Sequence, residues 1–189
     1  MEAHDDQPEF LIPAHIAVSN VVIVDEARNA VVQLKGVPMF CKQLDEFSDN
    51  EELAEKIIET MIRLSVDDDV SAELASTGMI TFVDLIDQYK DDVDMLTLIF
   101  MFLGHLAFVT ENLRAMVASG GVKKLVAQTQ SHPDEFELMV KAVQTLDNIA
   151  MANSEYADIV VREGGKDAIE YLMDRHSDKK DDGDEGEDP

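Results

Sequence analysis

The 189-residue chain is 46% hydrophobic, which is enough for a folded core, and it carries a formal net charge of −25. Because such an acidic surface repels phosphate backbones, we expect no nucleic-acid binding. Cys41 is the single cysteine and cannot form an internal disulfide, and the acidic N-terminal segment is unlike a secretory signal peptide. These features favour a cytoplasmic protein.

Acidic residues are concentrated at both ends of the chain. Residues 1–9 carry four acids, and residues 177–189 carry seven acids against two lysines. Segments of this composition bury too little apolar surface to fold. The sequence therefore predicts a disordered acidic N-terminus over 1–9, a folded domain over 10–176 and a disordered acidic tail over 177–189.

Helical periodicity starts with AHIAVSNVVIV, residues 14–24, a segment that is typical of the end of a long helix. From Glu26 the sequence predicts a short helix that ends at Gly36. A medium helix, GVPMFCKQLDEF, follows, and after an acidic break comes a long helix, NEELAEKIIETMIRLSV. Almost nothing alternates with the period of two that strands require, so we expect an all-α protein.

The same order of helices recurs along the chain. Medium-helix segments begin at Gly36, Gly78, Gly121 and Gly165, which are 42, 43 and 44 residues apart. We expect these glycines to adopt the positive φ of a sharp turn after each short helix. The last unit stops after KDAIEYLMDR, its medium helix. A fixed period of this length predicts a solenoid, in which each unit packs on the next.

The most apolar stretch is MLTLIFMFLGHLAFV, residues 95–109. It has 15 residues, whereas a membrane-spanning helix needs about 20. We therefore expect no insertion into a membrane. The stretch aligns with the long helices of the other units, and this alignment predicts that Ile99, Phe100 and Leu103 lie in the core.

The unit of about 42 residues, with the phrases MVASGGVKKLV and VQTLDNIA, resembles the armadillo repeat. The resemblance covers roughly residues 14–174 and implies a right-handed α-solenoid of about three to four armadillo-type three-helix repeats. The armadillo family usually has an asparagine near the end of its third helix. The matching positions here, spaced 43, 42 and 43 residues apart, are Asn20, Arg63, His105 and Asn148.

The resemblance also implies a binding surface, because the third helices of armadillo proteins line a concave groove that holds extended peptides or helices. Residues at i, i+3 or i+4 spacing from the matching positions share that face. The predicted partner-binding residues are Asn20, Glu52, Lys56, Glu59, Arg63, Asp94, Leu98, Met101, His105, Glu137, Lys141, Gln144 and Asn148. The family often has tryptophan four residues before the asparagine. This chain has no tryptophan, which argues against nuclear-localisation-signal binding of the importin-α kind.

Three of these residues have alternative interpretations. Leu98 and Met101 are apolar where the other long helices are polar, so they either form an exposed apolar patch or are covered by a neighbouring helix. His105 either changes its charge near neutral pH or hydrogen-bonds within the row of third helices.

Sequence motifs for chemistry are missing. The histidines at 4, 15, 105, 132 and 176 form no i, i+4 pair, and there is no cysteine cluster. No phosphate loop and no nucleophile elbow is present. We therefore expect no metal, no cofactor and no enzymatic activity.

The expected function is that of a protein-interaction module or adaptor, whose partner segment carries basic and apolar residues. Two alternatives stay open. The solenoid could regulate a folded enzyme, in the manner of armadillo-like chaperone cofactors or small-GTPase exchange factors, or it could form a structural section of a larger assembly. Open solenoid ends also allow a homo-oligomer.

Overall fold

In the computed structural model the described residues are 7–177, and within this range the secondary structure is all-α, as predicted. The helices are α1 Pro8–Val21, α2 Asp25–Gln33, α3 Gly36–Glu46, α4 Glu51–Leu64, α5 Asp68–Gln88, α6 Val93–Leu106, α7 Thr110–Ala118, α8 Gly121–Ser131, α9 Phe136–Ala152, α10 Ser154–Arg162 and α11 Gly165–Ser177. The helical region thus begins two residues before the predicted boundary and ends one residue after it. Most of both predicted acidic ends lies outside the described residues.

Side chains in the connecting turns fix where three successive helices begin. Asn50 Oδ1 accepts a 3.0 Å hydrogen bond from the Leu53 amide at the start of α4. Asp67 caps α5 in the same way, and Asp92 Oδ1 accepts from the Met95 amide of α6 at 3.0 Å. Such caps satisfy amides that have no partner within the helix.

Eight of the described helices pack in two rows. Helices α1, α4, α6 and α9, here called the third-helix row, each contact the next helix of the set. Helices α3, α5, α8 and α11, the second-helix row, do the same. This repeated packing is the architecture of a helical solenoid, in which each layer is stabilised by its neighbours.

Hydrogen bonds between layers join residues that are one repeat apart. Thr145 Oγ1 of α9 donates to the Phe100 carbonyl of α6 at 3.0 Å. Thr60 of α4 donates to the His15 carbonyl of α1 at 3.3 Å. Both threonines are buried, and each hydroxyl also lies within hydrogen-bond distance of the carbonyl four residues before it, at 2.9 Å for Thr145 and 2.8 Å for Thr60. The recurrence of this contact places equivalent residues of successive layers opposite each other.

The turn between the first two helices of a unit differs from the prediction. Positive φ occurs at Lys35, Gly120 and Gly164, one residue before the aligned glycines. The aligned glycines instead begin the medium helices, where space is short: a Cβ on Gly36 would lie 2.5 Å from Val31 Cγ1. The expectation that these glycines adopt positive φ is therefore wrong, and close packing explains them.

The second unit has no such turn, because α5 runs without a break through Gly78. The residue at the turn position is Thr77, and a β-branched residue is costly in the left-handed region. Thr77 Oγ1 instead donates to the Glu73 carbonyl within the helix at 2.8 Å. The prediction of three separate helices is therefore wrong for this unit, which has two.

The apolar stretch 95–109 supplies the centre of the core. Ile99, Phe100 and Leu103 of α6 are buried, which confirms the prediction. Phe102, on the same helix, packs edge-on against Phe82 of α5 at a centroid distance of 4.9 Å. Among the described helices none is both long and apolar enough to cross a membrane.

Cys41 lies in this core on α3. Burial, and then the charge of Glu73, raises the pKa of its thiol to about 12. A thiol that stays protonated at neutral pH is a poor nucleophile, so Cys41 acts as a packing residue.

Lys35 provides a test of the turn geometry, since it is a non-glycine residue at φ 58°. Lys35→Gly removes the steric cost of that conformation and should raise the free energy of unfolding by about 1 kcal/mol. The matched control is Lys42→Gly within α3, which should lower it by about 1 kcal/mol, because glycine weakens a helix interior. Urea denaturation of both variants measures the two changes in the free energy of unfolding. Changes of the same sign would contradict the turn geometry.

Candidate functional site

A groove crosses the third-helix row near the N-terminal ends of α4, α6 and α9 and has a volume of about 420 Å³. Helix α4 contributes Glu51, Glu55 and Glu59, and α9 contributes Glu137 and Lys141. The turn before α6 and the helix itself contribute Asp92, Asp94, Met95, Thr97, Leu98 and Met101. These residues define the acidic groove.

The acidic groove brings together six of the predicted partner-binding residues, namely Glu59, Asp94, Leu98, Met101, Glu137 and Lys141. The other seven do not line it: Asn20, Glu52, Lys56, Arg63, His105, Gln144 and Asn148. None of these seven is buried.

On α4 the groove-facing residues follow a different row from the predicted one. Glu51, Glu55 and Glu59 are spaced i, i+4, i+8 and lie on one side of the helix. The predicted Glu52 and Lys56 are each offset by one residue, and a one-residue step rotates a side chain by about 100° in a helix of 3.6 residues per turn. Aligning the repeats does not fix this rotation, so Glu51 and Glu55 were missed.

Carboxylates dominate the electrostatics of the groove. Lys56, at its edge, lies 2.8 Å from Glu55 and 3.2 Å from Glu59. The hydrogen bond to Glu55 is the main reason why the pKa of Lys56 is raised. Lys141 is the one basic residue among the lining residues. The six lining carboxylates therefore exceed the nearby lysine charges, and the groove is negative.

Helix chemistry explains part of this acidity. Glu51, Asp94 and Glu137 lie in the first turns of α4, α6 and α9. Acidic side chains at these places interact favourably with the positive end of the helix dipole, by about 0.3–1 kcal/mol each. Glu55 and Glu59 lie one and two turns further along, where that stabilisation has faded. The helix dipole therefore does not account for them, and both instead lie within ion-pair distance of Lys56 on the same helix.

Leu98 and Met101 lie on the groove side of α6, and both are half-buried. Neighbouring helices therefore cover them only in part. Met95, which the alignment of the repeats with one another missed, is buried beside them. An apolar strip on α6 thus forms the floor between the acids of α4 and Glu137 of α9. Methionine side chains adapt readily to the shape of a bound group.

His105 lies further along the third-helix row and is half-buried. Its Nδ1 atom is 3.5 Å from Ser65 Oγ, and the neighbouring Gly104 carbonyl accepts a 3.3 Å bond from Asn148 Nδ2. Burial, and then the charge of Lys141, lowers the pKa of His105 below its ordinary value of 6.5. His105 is therefore neutral at pH 7 and gains charge only in acid.

We predict that the His105 imidazole titrates below 6.5 in an NMR pH titration. Lys141→Met should move the midpoint upward, because it removes a positive charge that disfavours the imidazolium. Lys124→Met, on the second-helix row, should leave the midpoint unchanged. An unshifted midpoint in Lys141→Met would show that Lys141 does not act on His105.

Within residues 7–177 no group of three or more histidine, cysteine, aspartate or glutamate residues has the arrangement of a metal site. Crowded carboxylates in the acidic groove therefore do not converge on one point.

No family model matches this sequence, and no curated protein matches it. Among solved structures, an engineered protein from the Northeast Structural Genomics Consortium is similar, with a TM-score of 0.76 and 22% identity over 86% of this chain and 65% of that one. A second engineered protein from the consortium has a TM-score of 0.72 and 25% identity over 82% of this chain and 37% of that one. The chain thus spans less than two thirds of the length of either neighbour, and the likeness is one of fold.

Proposed function

We propose that this chain is an armadillo-type solenoid that acts as a protein-interaction module and binds a segment of a partner protein in the acidic groove. The carrying observation is the groove itself: Leu98 and Met101 form an apolar floor, and six carboxylates line the same space. A groove with apolar contacts and a few directing charges is the usual form of a peptide-binding site.

The chemistry of the groove defines the partner segment. Arginine or lysine side chains would pair with Glu55 and Glu59 on one side and with Glu137 on the other. An apolar side chain between them would contact Leu98 and Met101. Because the lining carboxylates outnumber the lining lysine, an acidic segment would be repelled.

The two kinds of contact contribute differently to binding. Exposed ion pairs contribute about 0–1 kcal/mol each, and salt screens them. An apolar side chain that fills the floor contributes about 1.5–3 kcal/mol through burial. The charges therefore mainly raise the rate of association, and the apolar anchor mainly sets the lifetime of the complex.

The armadillo assignment is supported by two units with the expected three helices, α2–α4 and α7–α9. The unit of α5 and α6 departs from the pattern through its continuous helix. Regulation of a folded enzyme and a structural role in a larger assembly remain alternatives. A binding role in the cytoplasm, without catalysis, is the hypothesis that the groove and the composition favour.

We predict that Met101→Asp weakens binding of a short peptide of alternating arginine and leucine by about tenfold or more. The new carboxylate would be buried against the leucine of the peptide without a partner. Ile80→Asp is the matched control, since Ile80 is exposed on α5, outside the groove. Fluorescence anisotropy of the labelled peptide measures both affinities.

A glutamate-for-arginine version of the same peptide should not bind, and added salt should slow association of the basic peptide. Equal affinity of wild type and Met101→Asp for the basic peptide would exclude the acidic groove as its binding site. Binding of the acidic peptide would contradict the proposed partner chemistry.

A further inference from the structure

A second cavity, here called the end pocket, lies between α1, α2 and α3 at the N-terminal end of the solenoid and has a volume of about 370 Å³. Its walls include Phe10, Val18, Leu34 and Met39. No Asp, Glu, Lys or Arg lines it. Burial lowers the pKa of His15, the lining histidine, against the opposing effect of its hydrogen bond to Gln43. The end pocket is therefore uncharged at neutral pH, in a chain with 40 acidic residues.

Helix α1 exposes the face that the other third helices bury. Phe10 is 52% exposed, whereas the residues at the equivalent position of the other third helices, Leu53, Met95 and Leu138, are buried. Val21 is also 52% exposed, and its equivalents Leu64, Leu106 and Ile149 are fully buried. In the other third helices the same face is a packing surface.

Helices α2 and α3 carry apolar residues at positions where the equivalent helices of the inner layers carry polar residues. At the register position of Met39, inner layers have polar side chains that bond to the preceding layer: Thr81 donates to Asp45 at 3.0 Å, and Lys124 lies 2.6 Å from Asp84. At the position of Leu34, inner layers have serine, at 76 and 119. The first layer is thus apolar where the inner layers are polar.

The opposite end of the solenoid has a different surface. Helix α11 presents Glu170 at the register position of the buried residues Cys41, Val83 and Val126, and Glu170 pairs with Lys166 at 3.2 Å. Contact between this end and the end pocket would bury Glu170 against apolar side chains, which is costly. The two ends of the chain therefore do not match each other.

We propose that two copies of this chain pair through their end pockets about a twofold axis, each placing its Leu34 side chain in the pocket of the other. A twofold interface requires one surface that carries both the projection and the recess. The end pocket carries both, since Leu34 on its rim is 82% exposed beside the apolar recess. It is also an uncharged surface, on which two strongly acidic copies can meet with little repulsion.

Sedimentation equilibrium of the full 189-residue chain over a series of concentrations tests this pairing. The mass should rise from 21.0 kDa and level off at twice that value. Added salt should strengthen the dimer, because it screens the repulsion between two acidic bodies. Leu34→Glu should raise the dissociation constant about tenfold or more, since each copy would bury an unpaired carboxylate.

Phe108→Glu is the matched control, because Phe108 is 74% exposed outside the end pocket, and its dimer should form as in wild type. Thermal unfolding of Leu34→Glu at low concentration should match that of the wild-type monomer, which separates loss of pairing from loss of folding. Met101→Asp should also dimerise normally, because Met101 lies in the acidic groove and not in the end pocket. If the proposed peptide binding is wrong, the dimerisation result therefore still stands.

A chain that stays monomeric at every concentration would overturn the proposal. So would a mass that grows without a plateau, since that behaviour belongs to head-to-tail stacking. An unchanged dissociation constant in Leu34→Glu would likewise overturn it.

Discussion

The packing of one third helix on the next, with equivalent residues in contact, is the interaction on which the rest of this structure depends. Along α6 and α9 the hydrogen bonds join Phe100 to Thr145 and Gly104 to Asn148, at separations of 45 and 44 residues. Because the sequence separation between the bonded residues stays nearly constant along the pair, the two helices run parallel. Their N-terminal ends therefore lie side by side, and so do those of α4 and α6 in the layer before.

The acidic groove follows from this alignment. Each third helix favours acidic residues in its first turn, for reasons of local stability. Parallel packing gathers those residues from α4, α6 and α9 into one surface. Glu55 and Glu59 extend the negative surface beyond the first turn of α4. Acidic residues that stabilise the starts of single helices thus become parts of one negative surface, to which we propose that a basic partner binds.

Much of the fold could be predicted from the sequence, because core periodicity and the spacing of the aligned glycines are local and repeated. The continuous helix α5 was missed, since the decisive residue is Thr77, whose neighbour Gly78 suggested a turn. Two further features depend on geometry rather than on alignment. Glu55 faces the groove because of how α4 is rotated about its axis. Leu34 lines the end pocket, and it is apolar where the equivalent residues 76 and 119 are serine.

The distance between equivalent residues in the first and last third helices tests the stacking most directly. Ile16 and Gln144 are exposed and occupy equivalent positions in α1 and α9. Spin labels at these two sites, in a Cys41→Val background that copies Val83 and Val126, can be measured by double electron–electron resonance. Helices α1 and α9 are separated by three helix–helix contacts, each with an interaxial distance of about 8–10 Å. We therefore expect a narrow distribution of spin-label distances at about 25–30 Å. A broad distribution, or one centred beyond about 40 Å, would contradict parallel stacking in register.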